Sequence, residues 1–564
     1  MKKLRWQIVV VIVALVAIGV ILVSQQPASI LPGVIPAPVI EPAQGGVYTE
    51  GLVGEFGRLN PVMDYYDTPD RSVDRLLYSG LIRFDGRGQP YGDLAETWGI
   101  SQDEKIYNFS IRSNAVWHDG QPVTSADVIF TIDLLRDENT PIPADLKDFW
   151  NQVEVEALDD KTLQFRLPEP FAPFLDYLTF GVLPQHIWEE TAPEAMIDSP
   201  LNLKPVGSGP YQFDTLLVED GKITGVQLAA FKDYYSQAPF IDQFVFKYYP
   251  DEAAVLAAYE NGDVLGVGQI DRTELPAMLE DANLGVYTGR QPRLGLVYMN
   301  LDAPDLPFFQ DAGLRRALLM GINRQRIIDR QLQSQGFVAD GPIMPGTWAY
   351  YDSIEHLTYD PEQALSAIKE AGYTIPAEGG GVRVKEGVQF EFELAYPDQE
   401  PYTSIAQSIA ADWSQLGVKA DLKPVPYETL LTDYLEPGTY QAALVDLNLG
   451  RTPDPDPYPF WHQAQITGGQ NYAHWDDRQA SEYLEQARVE VDQAERLKRY
   501  KNFQVRFTSQ MPALPLYYLV GSYGIDRSVQ GVRVGALFDP SDRFNDVTNW
   551  YLATTRTAQQ SDGN

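Results

Sequence analysis

The sequence predicts a mixed α/β protein with more than one hydrophobic core. Its 564 residues exceed the size that a single core usually organises. Segments that alternate apolar and polar residues, typical of strands, are interleaved along the chain with segments of helical periodicity. No segment recurs with a period of roughly 20 to 50 residues, which argues against solenoids and propellers.

Signals for the ends of helices and strands place several elements in order. Alternating polarity over residues 106–111 predicts a strand, and Asp119-Gly120 predicts a tight turn after it. A capping box from Thr124 to Asp127 opens a helix that runs to Leu135. Further helices are predicted over residues 311–332 with a break at Gly321, over 360–372, over 405–416 and over 482–509, and a strand over 418–422.

The first 24 residues predict a signal or anchor helix. A basic start precedes an uncharged apolar stretch, and residues 6–23 would span about 27 Å as a helix. That length approaches the roughly 30 Å hydrocarbon core of a bilayer, so an uncleaved anchor is favoured over a signal peptide cleaved after Ser24 or Ala28. The basic residues lie before the span, which places the rest of the chain outside the cytoplasm, in the periplasm or on the outer face of the cell membrane.

Two further segments have the composition of unpacked chain. Residues 25–46 carry five prolines and predict a semi-rigid Pro-rich linker. Residues 557–564 are polar and predict a disordered tail.

Composition excludes several classes of function. The chain has 43 basic and 78 acidic residues, a net charge of −35 that repels nucleic-acid phosphates. It has no cysteine, which excludes disulfides, thiolate metal sites and a lipid-modified N-terminal cysteine. Its five histidines form no pair with metal-ligand spacing, so no metal and no cofactor are predicted.

Three motifs superficially resemble catalytic sites. Gly207-Ser208-Gly209 lacks the G-x-S-x-G spacing of a nucleophile elbow and precedes a predicted strand at 211–213. Asp454-Pro455-Asp456 has no identifiable facing acid for glycoside hydrolysis and suits a rigid loop at the edge of a cleft. His118 lies beside a hairpin turn, where a structural role is favoured. The sequence therefore predicts no catalytic residue and no enzyme.

A series of ordered motifs gives the chain its resemblance to a known family. The most specific is YNFSIRSNAVWHDGQPVTSADV at residues 107–128; LNPVMD at 59–64, LLYSGL at 76–81, DLAETW at 93–98 and VGSGPY at 206–211 occur in the expected order. Matching segments follow at 240–246, 298–300, 315–324 and 359–373. Over roughly residues 47–553 the chain resembles the extracytoplasmic solute-binding proteins of peptide and nickel ABC importers, the oligopeptide/dipeptide-binding type of family 5.

The resemblance implies an α/β fold of the two-lobed periplasmic-binding-protein type, class II and large, with an extra subdomain inserted in the first lobe. The implied boundaries are 47–293 for lobe 1, with the insertion at about 82–205, then 294–510 for lobe 2 and 511–556 for a return to lobe 1. Ligand is expected between the lobes, which close by a hinge motion. The expected partners are a peptide or small-molecule ligand and the permease subunits of the importer, and a monomer is expected.

One stretch departs from the family pattern. Peptide-binding members place an aspartate shortly before an Asp-Pro-Asp segment, where it pairs with the amine of the peptide. Residues 447–456 read LNLGRTPDPD, which puts Arg451 at that position. An arginine would repel an amine and favour a carboxylate, so a ligand other than a standard peptide stays open. Asp446 and Asp454 are alternative partners for an amine.

The family positions give a set of expected ligand-binding residues. At these positions Arg451 or Asp454 would bind a charged terminus of the ligand, and aromatic side chains would form the wall of the ligand pocket. The full set is Glu55 and Phe56 on the opening strand, Trp348, Tyr350, Asn448, Arg451, Asp454 and Trp461. The implied function is capture and delivery of a solute to a membrane importer; an extracellular hydrolase and a ligand sensor for a membrane receptor are the alternatives.

Overall fold

A computed structural model of the protein describes residues 42–377, 379–450 and 453–553. The predicted anchor helix at 1–24, most of the predicted linker, the predicted tail at 557–564 and Arg451 lie outside these ranges. No helix within them combines the length and the apolar character that a membrane crossing requires.

The strands of the described residues are numbered here in chain order. They are β1 (Val47–Val53), β2 (Ile82–Phe84), β3 (Pro90–Gly92), β4 (Ala95–Ile100), β5 (Ile106–Ile111), β6 (Glu154–Asp159), β7 (Thr162–Arg166), β8 (Tyr211–Glu219), β9 (Lys222–Ala230), β10 (Gln243–Tyr249), β11 (Gly266–Ile270), β12 (Leu284–Met299), β13 (Gly336–Val338), β14 (Val384–Lys385), β15 (Val388–Gln389), β16 (Glu391–Pro397), β17 (Lys419–Val425), β18 (Ala442–Asn448), β19 (Ala513–Asp526), β20 (Val529–Gln530) and β21 (Tyr551–Leu552).

Helices occur between the strands throughout, as expected for an α/β protein. The α-helices are Thr68–Leu77, Ser125–Arg136, Ala144–Gln152, Gln185–Trp188, Pro193–Met196, Glu252–Glu260, Leu275–Met278, Ala312–Met320, Arg324–Gln331, Pro361–Glu370, Tyr402–Gln415, Tyr427–Thr429, Tyr458–Trp461, Arg478–Val489 and Gln493–Gln510. Helical segments of other types are Ala172–Leu178, Pro200–Leu203, Pro307–Phe309, Leu430–Leu435, Gln463–Gln465, Pro540–Phe544 and Val547–Asn549.

One large mixed sheet connects the described parts of the chain. Its strand order is β17-β16-β18-β12-β19-β11-β1-β10-β9-β8, and β13 pairs with β19. The long strands β12 and β19 run antiparallel from Leu284 opposite Asp526 to Tyr298 opposite Ala513. A separate antiparallel sheet, of order β4-β5-β7-β6, forms within residues 95–166.

The hydrophobic core is divided along this sheet. A first core contains residues from 48–246 together with 523–550, and a small core contains residues from 255–284. Two further cores draw on residues 294–518. Val297 and Met299 of β12 belong to one of these, while Leu296 and Tyr298 belong to the other. Since successive side chains of a strand point to opposite faces, this second half of the molecule is a sheet covered on both sides.

Local end signals account for much of this secondary structure. The capping box at Thr124 is present, and the helix it opens is Ser125–Arg136. Residues 311–332 form two helices that Gly321 separates, as predicted. Asp360 accepts a hydrogen bond from the backbone of Gln363 and caps the predicted helix there.

The prediction that Glu55 and Phe56 lie on the opening strand was wrong. Strand β1 ends at Val53, so Glu55 and Phe56 lie in the loop after it, and residues 59–64 form a loop and a turn. The reason lies at Gly54, whose φ of +133° redirects the chain. A Cβ there would also lie 2.7 Å from the ring of Pro69, at the start of helix Thr68–Leu77.

Candidate functional site

The candidate site is a cavity of about 740 Å³. Segments 61–85, 135–181 and 539–545 line it from the half of the molecule that contains the first core, and Ala536 and Phe538, which also line it, pack against a core of the other half. Asn448, Gly450 and Pro453, which follow β18, line it from the other half. This volume lies within the range of pockets that hold small molecules, about 300 to 1,000 Å³.

One helix supplies much of the charged wall. Helix Thr68–Leu77 presents Arg71, Asp74 and Arg75 to the cavity, and Tyr78 follows at its C-terminal end. The spacing i, i+3, i+4, i+7 is that of a single helix face. Asp67 caps this helix by accepting a hydrogen bond from the backbone N–H of Asp70, and Pro69 occupies the first turn.

The arginines of the wall are held in ion pairs. Arg71 Nε lies 2.8 Å from an oxygen of Asp539, and an Arg75 nitrogen lies 3.5 Å from an oxygen of Asp542. These pairs fasten the C-terminal loop, residues 536–545, onto helix Thr68–Leu77. Arg83 on β2 pairs at 2.7 Å with Asp93.

Asp74 differs from the other charged groups of the wall. It is 2% exposed, and neither of its carboxylate oxygens has a hydrogen-bond partner in the described part of the chain. Burial raises the pKa of Asp74 well above its usual range, and the nearby carboxylates of Asp64 and Asp70 raise it further. Asp64 lies on the same wall of the cavity.

Aromatic rings form a second part of the wall. The ring of Tyr177 lies tilted against that of Phe149, with a centroid distance of 4.0 Å, and the Phe149 ring lies 5.4 Å from that of Trp150. Burial raises the pKa of Tyr177, and the carboxylate of Asp456 adds to this. The aromatic residues that line the cavity are Tyr65, Tyr66, Tyr78, Phe84, Trp150, Tyr177, Phe180 and Phe538.

Asn448 is the predicted site residue that the structure places on this cavity. It is exposed at the end of β18, and its side-chain oxygen accepts a hydrogen bond from the backbone of Gly450. Asp454 lies beside the cavity, with its backbone N–H 3.1 Å from an oxygen of Asp176, a cavity-lining residue.

The carboxylate of Asp454 is already engaged by another part of the chain. Arg496 contacts both of its oxygens, at 2.5 and 3.1 Å, and its guanidinium lies 5.1 Å from the ring of Trp348. The structure therefore brings Trp348 and Asp454 together around Arg496. Asp446, the other alternative partner for an amine, accepts hydrogen bonds from two tyrosines and pairs with Arg293.

The other predicted site residues lie away from the cavity wall. Phe56 packs edge-on against Tyr248, and Glu55 is exposed. Trp461 is 1% exposed and packs against Phe507 in a core, and Tyr350 packs against the same core.

The side chains of His118 and Asp456, which were considered for catalysis, are bound by other parts of the chain. His118 Nδ1 accepts a hydrogen bond from the backbone of Gly207, and its Nε2 lies 3.1 Å from the carbonyl oxygen of Gly209. Burial lowers the pKa of His118 to about 4. Asp456, like Asp454, is bound by an arginine, Arg488, which contacts both of its oxygens. Among the described residues no group of three or more acidic or histidine side chains could hold a metal ion.

Sequence reasoning missed the charged wall around Asp74. The signal was present in the stretch DYYDTPDRSVDRLLY at residues 64–78, in which positions 71, 74, 75 and 78 share one helix face.

Comparison with known proteins places the chain in a family. The model of "Bacterial extracellular solute-binding proteins, family 5 Middle" matches residues 89–469. The dipeptide-binding protein of Escherichia coli K12 is 28% identical over 490 residues, covering 82% of this chain and 87% of that protein. The oligopeptide-binding protein AppA of Bacillus subtilis 168 is 25% identical over 526 residues, covering 91% and 93%.

Solved structures agree with this assignment at the level of the fold. The structure of HbpA2 from Haemophilus parasuis has a TM-score of 0.78 at 22% identity and covers 90% of this chain and all of that one. The predicted fold class, an α/β two-lobed binding-protein fold, is thereby confirmed. The chain belongs to the bacterial extracellular solute-binding proteins, family 5.

Proposed function

We propose that this protein is the substrate-binding component of an ABC importer and captures a peptide or a related small polar solute in the 740 Å³ cavity. The observation that carries the proposal is that both halves of the molecule line this cavity. A hinge closure would then enclose the ligand and remove it from water. Relatives named as dipeptide- and oligopeptide-binding proteins support the ligand class.

The lobes of this proposal follow the divided core. Residues 47–293 with 511–556 form lobe 1, which includes an inserted subdomain at about 82–205, and residues 294–510 form lobe 2. The first core, with members from 48–246 and 523–550, supports this division. Asn448 contacts the ligand from lobe 2, and the ligand-binding roles expected of Glu55, Phe56, Trp348, Tyr350, Arg451, Asp454 and Trp461 stay predictions.

Permease subunits of a membrane importer are the proposed partners, and the protein acts as a monomer outside the cytoplasm. The apolar N-terminal segment would tether it to the membrane. The protein has no catalytic activity of its own, because the acids and histidines of its candidate motifs are engaged in structural pairs.

A thermal-shift screen of the full-length protein tests the proposal. Dipeptides to hexapeptides, sugars, opines and nickel–histidine complexes would be added in a concentration series, and a ligand that binds the folded state raises the melting temperature. Recovery of the bound solute unchanged, by mass spectrometry, separates binding from hydrolysis. Absence of any shift across the panel, or turnover of the solute, would contradict the proposal.

A further inference from the structure

Residues 453–458, which read PDPDPY and are called the clasp loop here, are held rigidly within the second half of the molecule. Arg496 contacts both oxygens of Asp454, at 2.5 and 3.1 Å. Arg488, on the preceding helix, contacts both oxygens of Asp456, at 2.6 to 3.1 Å. Two-point contacts between arginine and carboxylate fix orientation as well as position, and the prolines restrict the backbone between them. The clasp loop therefore presents a fixed surface to its surroundings.

The first contact of the clasp loop with the other half is a buried hydrogen bond. The backbone N–H of Asp454 donates to the carboxylate of Asp176 at 3.1 Å, and both residues are buried. Asp176 lies in the helical segment Ala172–Leu178, which packs into the first core. The hydrogen bond thus joins the two halves directly.

Arg488 makes the second contact between the halves. Its guanidinium lies 4.0 Å from the centre of the Tyr458 ring and 5.7 Å from that of the Phe171 ring. Tyr458 belongs to the clasp loop, whereas Phe171 packs against the first core. Aromatic faces attract a guanidinium group, so the arginine that orients Asp456 also attaches the clasp loop to the other half.

The third contact leaves no room for a side chain. Gly88, in the turn between β2 and β3, faces Pro453, and a Cβ on it would lie 2.6 Å from the Cβ of Pro453 and 3.5 Å from Cδ1 of Trp348. Ile82 of β2 belongs to the first core, while Trp348 packs against a core of the second half. The two halves are therefore in direct van der Waals contact at this point.

The clasp loop borders the cavity. Pro453 and Asp176 themselves line it, so separation of the halves at these contacts would open the cavity wall at the same place. Each of the three contacts joins two groups of the protein, and none of them depends on a ligand atom.

We propose that the clasp loop holds the two halves together by direct contact, and that Arg488 and Arg496 are positioning residues for this closed conformation. The inference rests on the proposed function, because closure is what encloses the solute, and it adds a source of closure besides the ligand. A fraction of the molecules is then closed before any solute binds, and the ligand has to supply only the rest of the free energy of closure.

Double electron–electron resonance on the full-length protein, dialysed against ligand-free buffer, tests the inference. The chain has no cysteine, so introduced cysteines are labelled selectively. Val218→Cys on β8 and Val505→Cys on helix Gln493–Gln510 are exposed positions, one in each half, and would carry the spin labels. The closed conformation should appear as a separate short-distance population.

Substitution of Gly88 tests the close approach. Gly88→Ala places a methyl group against Pro453, and because overpacking is costly, the ratio of closed to open molecules should fall by about 5- to 150-fold. Gly221→Ala is the matched control. Gly221 lies in the turn between β8 and β9 with a φ of +79°, against +77° for Gly88, but a Cβ there meets nothing within 4 Å. It introduces the same backbone strain and should leave the distances unchanged.

Substitutions of Phe171 and Arg488 test the attraction between the halves. Phe171→Leu removes the aromatic face and should lower the ratio of closed to open molecules by about 2- to 30-fold, whereas Phe171→Tyr keeps the face and should retain the wild-type distribution. Arg488→Lys keeps the charge but loses the planar two-point contact with Asp456, so it should shift the distribution in the same direction as Phe171→Leu.

The distance distributions decide the inference separately from the proposed function. A short-distance population that Gly88→Ala, Phe171→Leu and Arg488→Lys reduce, and that both control variants keep, supports it. A single long distance in the wild type, an unchanged distribution in these variants, or an equal shift in Gly221→Ala overturns it. If Arg488→Lys fails to fold, the substitutions at Gly88 and Phe171 still decide. A solute that raises the melting temperature supports capture whatever the distances are.

Discussion

Replacing Arg543 by alanine should destabilise the protein by about 3 to 5 kcal/mol, the usual cost of breaking one side of a buried ion pair. Arg543 and Glu50 are 2% and 0% exposed. Two guanidinium nitrogens contact one oxygen of Glu50 at 3.0 and 2.6 Å, and the third donates to the carbonyl of Pro540 at 2.6 Å.

The magnitude follows from what the substitution leaves behind. The other oxygen of Glu50 accepts hydrogen bonds from Tyr48 at 2.8 Å and from Tyr523 at 3.0 Å. These phenols stay in Arg543→Ala, but they are neutral, so Glu50 would remain a buried charge without a cation. Since the double variant Glu50→Gln with Arg543→Met removes both charges, it should recover part of the loss.

Urea unfolding of the full-length protein measures this difference in free energy. Arg478→Ala is the control, because Arg478 is 56% exposed in its pair with Glu485. This variant should unfold at the same urea concentration as the wild type. If Arg543→Ala unfolds at the same urea concentration as Arg478→Ala, the interpretation that the buried charge of Glu50 depends on Arg543 is refuted. The measurement also tests how firmly the C-terminal loop, which lines the cavity, is attached to β1.

Two further predictions concern pH and backbone packing. Burial raises the pKa of Asp542 to about 6, against the opposing effect of Arg75. Its folded-state pKa is above the unfolded value, so its contribution, about 3 kcal/mol at most, is present below about pH 4 and is lost as pH rises through 6. Urea unfolding at pH 5 and 7.5 should show roughly half of this loss, about 1.4 kcal/mol, because the remainder is already lost below pH 5. In Asp542→Asn the difference between the two pH values should be smaller, and an unchanged difference in the variant would count against this role of Asp542. Gly207→Ala should lower the melting temperature strongly, because the new Cβ would lie 1.9 Å from the carbonyl oxygen of Leu77. Gly99→Ala, whose Cβ meets nothing within 4 Å, should change it little, and equal effects would contradict the packing argument.

Sequence alone predicts those features that depend on local chemistry. The capping box at Thr124 and the break at Gly321 require only neighbours within one helical turn, and both appear in the structure. The family assignment also follows from sequence, since many motifs occur in order over residues 89–469 and beyond. The position of β1 was predicted wrongly because composition does not reveal that the chain turns at Gly54, where φ is +133° and a Cβ would lie 2.7 Å from the ring of Pro69.

The cavity wall depends on contacts between distant parts of the chain. Arg71 and Asp539 are 468 positions apart, and no sequence period links helix Thr68–Leu77 to the C-terminal loop. Residue type also fails to indicate which acids are already engaged. Asp454 has the character of a ligand-binding carboxylate in sequence, but Arg496, 42 positions later, occupies both of its oxygens.

The two walls of the cavity differ in what they offer a ligand. Among the described residues, the segment after β18 contributes an amide at Asn448 and the backbone around Gly450 and Pro453, whereas the other lining segments contribute all of the charged side chains. Ion pairs to Asp539 and Asp542 hold the charged wall in place before any ligand arrives. Preorganised groups lose little entropy when they bind, so this charged wall would contact a ligand first, and the proposed closure would then enclose it.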